Sequence, residues 1–369
     1  MLLKTLLLVF GTRPELIKLW PLICEIKAFP HLNLKVLHTG QHEELVEKTL
    51  IELGVHVDHR LHMPKERSSL NNLHHSLSLE IANYLQMNKP DLVIVQGDTA
   101  TALVAAISAF NERIAVAHVE AGLRSFNLSH PWPEEGYRVM ISRISKFHFA
   151  PTHQAGQNLL NEGIMSRNIH VVGNTSIDAI RLSTKLIDIK QNEFARKYIL
   201  ITSHRRESQD SQLDLLLDTL IKLSKLYPDI EFRFVLHLNP KIYFKVKNKL
   251  KNLANVITVE PQTYLEFIKL VANAFFIITD SGGIQEEGPF LGKKVLVYRK
   301  VTERVEGVIT GHCELLPVAE EKMIKRISDL LNLENISLPS LQDYGDGYAS
   351  GKIIKILNNF LCEDSHLCK

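Results

Sequence analysis

Short apolar runs, several of them followed at once by a glycine or a charged residue and then by an amphipathic stretch, recur through the whole chain. No other feature narrows the possible folds as much. In the first half such runs occupy residues 5–10, 34–38, 92–96, 114–118, 147–150 and 169–172. In the second half they occupy 198–202, 232–236, 256–259, 275–279 and 294–297. Most are apolar along their length and too short for helices, which marks strands buried on both faces. The segments between them have helical periodicity. After Pro14, placed near a first helical position, Leu16, Leu19, Trp20, Ile23 and Ile26 share one face. Strand–helix alternation in both halves predicts an α/β fold of two Rossmann-like domains, with parallel sheets facing a cleft. The unit changes near Gly173-Asn174, giving an N-terminal domain over 1–173 and a C-terminal domain over 174–348. In the final segment, 349–369, Ile353, Ile356, Leu357, Phe360 and Leu361 fall on one helical face, and the segment is expected to return to the first domain. Residues 58–69, rich in His, Lys and Arg, read as an exposed loop.

A length of 369 residues suffices for a full core in each of two domains. The 43 basic and 41 acidic residues nearly cancel, so no nucleic-acid or membrane partner is indicated. Cys24, Cys313, Cys362 and Cys368 lack zinc-like or disulfide-framework spacing and read as reduced thiols. The run at 6–10 ends in Gly11-Thr12-Arg13-Pro14 and is too short for a secretion signal. With no stretch of transmembrane length, a cytoplasmic location is expected. His56, His59 and His62 recur at spacing three, but Pro64 and the mixed polarity favour a loop over a metal site.

Ligands of open α/β sheets bind at the carboxyl ends of the strands, so the residues just after each run matter most. The run at 275–278 leads into Thr279-Asp280-Ser281-Gly282-Gly283-Ile284-Gln285-Glu286-Glu287. Strand, glycine turn and helix start bring backbone N–H groups and a positive dipole end together, an arrangement suited to an anion. Gly11-Thr12-Arg13-Pro14-Glu15, with Lys18 one turn on, forms a second anion-binding candidate. Gly97-Asp98-Thr99 places an Asp where it either caps a helix or serves chemistry. Glu120 directly follows a buried strand and needs a partner there, which Arg124 can supply. The stiff His130-Pro131-Trp132-Pro133 loop presents Glu134 and Glu135 at the next helix start. His204-Arg205-Arg206 follows the first strand of the second half and suits a pyrophosphate. His237 follows the next strand, and Arg304 follows the strand after the glycine turn. Carboxylates on one domain, with cations and glycine turns on both, indicate a diphosphate whose other part needs acid/base chemistry: a nucleotide sugar.

With these motifs, and with Tyr344-Gly345-Asp346-Gly347, the chain resembles the non-hydrolysing UDP-N-acetylglucosamine 2-epimerases from its first strand almost to its end. The resemblance implies the two-Rossmann glycosyltransferase-B arrangement, a homodimer and no metal or other cofactor. It implies reversible inversion at C2 of UDP-N-acetylglucosamine through a glycal, supplying a precursor for bacterial surface polysaccharide. It assigns Asp98, Glu120 and Glu134 to acid/base catalysis and His204 to supporting the diphosphate. Arg13, Lys18, Gln262, Phe267, Ser281, Gly282, Gly283, Glu287 and Arg304 match substrate-binding positions. Gln41, Arg67, Arg205 and His237 match a site where UDP-N-acetylglucosamine acts as an activator. The chain departs from the family's usual pattern at Glu43, Leu45, Gln96, Ser203 and Val305. These departures leave open a modified UDP-N-acetylhexosamine as substrate. A hydrolysing 2-epimerase and a glycosyltransferase of the same fold are the other readings.

Overall fold

Two parallel sheets organise the protein, of seven and six strands, with matching order over the six strands they share. The computed structural model describes residues 3–40, 44–61, 69–187, 196–203, 210–237, 239–299, 302 and 304–363. The candidates Gln41, Arg67, His204 and Arg205 lie outside these residues.

The first sheet is built from β1 (Lys4–Phe10), α1 (Arg13–Ile26), β2 (Leu32–His38), α2 (Glu44–Leu53), β3 (His59–Arg60), α3 (Leu70–Asn88), β4 (Leu92–Gln96), α4 (Ala100–Asn111), β5 (Ala115–Val119), α5 (Glu134–Ile144), β6 (Phe147–Ala150), α6 (His153–Asn161), β7 (Ile169–Val171) and α7 (Thr175–Leu186). Its strand order is β3-β2-β1-β4-β5-β6-β7. The second is built from β8 (Tyr198–Thr202), α8 (Asp210–Leu226), β9 (Glu231–Val235), α9 (Pro240–Leu250), β10 (Val256–Val259), α10 (Tyr264–Asn273), β11 (Phe276–Thr279), α11 (Ile284–Phe290), β12 (Val295–Val297), α12 (Val305–Ile309), β13 (Cys313–Leu315) and α13 (Glu320–Leu331). Its order is β10-β9-β8-β11-β12-β13. The last helix, α14 (Ala349–Glu363), follows.

Both orders are the doubly wound arrangement. The chain direction across each sheet reverses between β1 and β4, and again between β8 and β11. A reversal point of this kind opens a crevice at the strands' carboxyl ends, the usual ligand position. The central strands are sealed on both faces: Leu6 to Phe10, Leu92 to Val95 and Phe276 to Ile278 have no exposed surface, as parallel sheets require.

The chain forms two compact units. Unit 1 comprises residues 1–182 and 344–369, and unit 2 residues 183–343. The boundary therefore falls inside α7, past Gly173-Asn174. In unit 1, Ile353, Ile354, Leu357 and Leu361 of α14 share one core with Leu16, Leu19 and Ile23 of α1. Each such side chain contributes about 1.5–3 kcal/mol on burial. The start of α14 is held by Asp178 of α7, whose carboxylate accepts from the Ala349 N–H at 3.1 Å, the Ser350 N–H at 2.8 Å and the Ser350 hydroxyl. Burial pushes that carboxyl above its usual range. The Tyr344-Gly345-Asp346-Gly347 motif ties in nearby: the Asn174 N–H donates to the Tyr344 carbonyl at 2.6 Å, and Arg181 Nε to that of Gly347 at 2.6 Å.

The expected loop at 58–69 is corrected in its first part. His59 and Arg60 form the exposed edge strand β3, paired with Leu37 and His38. β13 is a further strand the apolar runs did not mark. Among the described residues no helix is long and apolar enough to cross a membrane.

Candidate functional site

The reversal point of unit 1 gathers several of the singled-out residues. Thr12 caps α1 in a capping box with Glu15. Glu15 Oε2 accepts from the Gly11 N–H (3.1 Å), the Thr12 N–H (2.8 Å) and the Thr12 hydroxyl (2.7 Å), and Oε1 accepts from the Thr99 hydroxyl at 2.6 Å. One buried carboxylate thus ties the turn after β1 to the turn after β4. Burial raises the Glu15 carboxyl above its ordinary range despite these bonds. Arg13 is the first residue of α1, half-buried, and Lys18 follows one turn later.

Glu120 follows β5 with a left-handed backbone, φ +65°, a conformation uncommon for a non-glycine residue. Its side chain is 6% exposed, and its Oε2 lies 2.5 Å from Lys18 Nζ; the Gln96 amide donates to the same oxygen. Arg124 is not the partner expected for Glu120. It pairs with Glu162 instead, Nε to Oε1 at 2.6 Å and Nη2 to Oε2 at 2.9 Å. This bidentate geometry suits a guanidinium better than a single shared oxygen would.

Asp98 follows β4 by way of Gly97, whose φ of +69° favours glycine. The cap of α4 is Thr99, not Asp98: the Thr99 hydroxyl accepts from the Ala102 N–H at 3.0 Å. The Asp98 carboxylate instead accepts from Arg138 Nη2. Arg138 also stands 3.3 Å from Glu135 Oε2, and Glu135 accepts from the Ser125 and Phe126 N–H groups at 3.0 Å each. Arg138 was missed by sequence reasoning. Its signal is its position on α5, three residues after Glu135 and four after Glu134, on the same helix face. Glu134 is the first residue of α5 and half-buried. Burial, and secondarily the charge of Glu134, raise the Tyr137 phenol, whose oxygen lies 2.7 Å from His74 Nε2. His118, inside β5 and fully buried, contacts the Gly97 carbonyl through Nε2 at 2.7 Å. Burial holds its imidazole down at about 3.

The reversal point of unit 2 carries the glycine turn. The Ser281 N–H donates to the Thr279 hydroxyl at 2.9 Å, and the Ser203 hydroxyl to Asp280 at 3.2 Å. Gly282 lies under the Arg304 guanidinium: a Cβ there would sit 2.9 Å from Arg304 Cζ. Arg304 is held by buried Glu286, Nε to Oε1 at 3.0 Å. Gly283 opens α11, and its Cβ position is 4.0 Å from Glu287 Oε1. Cation, bare backbone and carboxylate therefore converge at one helix start. Phe267 packs against the core cluster that includes Ile284. Gln262 sits beyond β10, its amide donating to the Glu260 carbonyl at 2.7 Å. His237 Nδ1 accepts from the Asn239 N–H at 2.9 Å, a turn contact at the start of α9. Among the described residues no group of three or more His, Cys, Asp or Glu is placed to hold a metal.

Residues 24–358 match the family model for UDP-N-acetylglucosamine 2-epimerase. The UDP-N-acetylglucosamine 2-epimerase of Campylobacter jejuni is 39% identical over 373 aligned residues, spanning 96% of this chain and 97% of that protein. The crystal structure of the Neisseria meningitidis UDP-GlcNAc 2-epimerase bound to UDP-GlcNAc superposes with a TM-score of 0.90 at 37% identity, covering 96% of this chain and 100% of that one. The Methanocaldococcus jannaschii UDP-GlcNAc 2-epimerase in complex with UDP-GlcNAc and UDP gives 0.85 at 35%, covering 96% and 99%. The chain belongs to the UDP-N-acetylglucosamine 2-epimerase family, a family of isomerases.

Proposed function

We propose that the protein interconverts UDP-N-acetylglucosamine and UDP-N-acetylmannosamine by elimination and re-addition of UDP. The C2 proton of the sugar has no adjacent carbonyl, so its direct removal is very costly. Coupling that removal to departure of UDP changes the problem. A base takes the C2 proton, the C1–O bond breaks with its electrons passing to the diphosphate, and a C1–C2 double bond forms. Re-addition of the UDP oxygen at C1, with a proton delivered to the other face of C2, inverts the centre without net oxidation. The path needs a general base, a general acid and cations for the departing diphosphate.

The observation that carries this reading is the pair of carboxylates at the unit 1 reversal point, each held by its own cation: Glu120 by Lys18 and Asp98 by Arg138. With Glu134 at the start of α5, they are proposed as the acid/base groups. By the family resemblance, Arg13 and Lys18 are assigned to substrate binding and His204 to supporting the diphosphate. Ser281, Gly282, Gly283 and Arg304 are assigned to the diphosphate in unit 2, Glu287 to the ribose hydroxyls, and Gln262 and Phe267 to the nucleoside. An acceptor-only carboxylate such as Glu287 suits a pair of hydroxyl donors. From the family resemblance alone we also propose a cytoplasmic homodimer that supplies bacterial polysaccharide synthesis. On the same basis, Gln41, Arg67, Arg205 and His237 form an activator site for UDP-N-acetylglucosamine.

Incubation with UDP-N-acetylglucosamine in deuterated water, followed by NMR, tests the reading. Deuterium at C2 of both isomers, with UDP still attached, is expected. Free N-acetylmannosamine would instead show a hydrolysing enzyme, and absence of exchange would sink the epimerase reading for this substrate.

A further inference from the structure

We propose that His118 is a positioning residue for Asp98, its Nε2–H fixing the Gly97 carbonyl and so the turn from which Asp98 projects. The inference rests on the assignment of Asp98 to acid/base chemistry.

The backbone of Gly97 is tied to β5 through both of its polar groups. Its N–H donates to the Val119 carbonyl at 3.0 Å, and its own carbonyl meets His118 Nε2 at 2.7 Å. A carbonyl oxygen can only accept, so the proton sits on Nε2 and Nδ1 keeps a bare lone pair. That Nδ1 is buried and has no hydrogen-bond partner among the described residues. His118 lies in register between Val95 of β4 and His148 of β6, flanked along β5 by Ala117 and Val119. Burying the imidazole with Nδ1 unsatisfied costs free energy. The contact that repays this cost is the one to Gly97. Among the described residues, chain neighbours aside, no heavy atom lies within 4 Å of a Cβ built on Gly97, so the turn is held by bonds rather than by packing at that point: the two to β5, with Thr99 tied to Glu15 and Asp98 to Arg138. Glu120 leaves the same strand two residues after His118. Residues 118–120 therefore set the separation of the two carboxylates, Asp98 through the Gly97 peptide and Glu120 through the chain.

The test compares His118→Gln, whose amide nitrogen can replace the Nε2–H donor, with His118→Leu, which packs without it. Asp98→Asn is measured alongside. Rates of C2 deuterium exchange should fall by at least about tenfold in His118→Leu with KM for UDP-N-acetylglucosamine little changed, the pattern of a displaced catalytic group. His118→Gln should recover most of the loss. Equal losses in the two variants, no loss in either, or a change in KM alone would overturn the proposal. Full exchange in Asp98→Asn would instead remove the Asp98 assignment itself, an outcome read independently of His118. Should His118→Leu fail to fold, nitrogen-15 NMR of the wild-type enzyme decides: an Nε2–H tautomer is expected, and an Nδ1–H tautomer would overturn the proposal.

Discussion

Replacing Arg138 by Met removes a guanidinium that serves two carboxylates at once. Its side chain is 8% exposed, and those of Asp98 and Glu135 are 28% and 2% exposed. Breaking a buried ion pair costs about 3–5 kcal/mol because the remaining charge is stranded. Glu135 retains two backbone N–H donors, and Asp98 is partly wetted, so the expected loss is about 2–3 kcal/mol. The two tryptophans, Trp20 and Trp132, both belong to unit 1. Their fluorescence in urea follows that unit, which avoids treating a two-unit chain as one transition. The same variant leaves Asp98 without its orienting partner, and C2 exchange should fall about 100-fold, as when one preorganised charged group is lost. UDP affinity, assigned to the glycine turn of unit 2, should stay close to wild type. If exchange stayed within about threefold of wild type, roughly 0.65 kcal/mol of barrier, while the urea midpoint fell, Arg138 would be structural only. The claim that it prepares Asp98 would then fail.

Gly282→Ala would bring a Cβ within 2.9 Å of Arg304 Cζ and push the guanidinium off the turn. The UDP dissociation constant, by calorimetry, should rise about tenfold, the loss of one charge-assisted contact; an unchanged value would count against the diphosphate assignment. Asp178→Ala deletes the carboxylate that caps α14, a cost of about 1–2 kcal/mol. It should speed amide exchange through α14 while leaving β8 to β13 protected, and unaltered protection of α14 would contradict this. Folded His118 stays neutral to about 3 while its unfolded ring protonates near 6.5, so the unfolded chain binds the extra proton between these values and stability falls as pH falls through that window. At pH 5 this is about 2 kcal/mol; His118→Gln should lose correspondingly less stability between pH 7.5 and 5, and equal losses would refute the burial argument.

Strands in the sheet centres were legible because burial on both faces leaves an unbroken apolar run, as in Leu92-Val93-Ile94-Val95. β3 was not, since an exposed two-residue edge strand of His59 and Arg60 has no apolar signature. Nor was β13, three residues of which only Cys313 is buried. β2 begins at Leu32, earlier than its apolar run, because polar Asn33 is tolerated near the sheet edge. The residues at strand ends were legible in the same way, through glycine turns and charges placed just after buried runs. Their pairing was not. Arg124 stood four residues from Glu120 yet binds Glu162, while Glu120 meets Lys18 and Asp98 meets Arg138. These partners are brought together by strand order, on which spacing along one sequence is silent.

The central claim is that carboxylates of unit 1 perform the chemistry at C2 and that most of the affinity for UDP comes from the glycine turn of unit 2. Glu120→Gln tests it most directly, since the amide keeps the shape of the side chain and removes its charge. C2 deuterium exchange and UDP affinity would be measured on the same preparation. The account predicts that exchange is abolished while the UDP dissociation constant changes by less than about threefold. Exchange at the wild-type rate, or loss of UDP binding in step with loss of exchange, would contradict it.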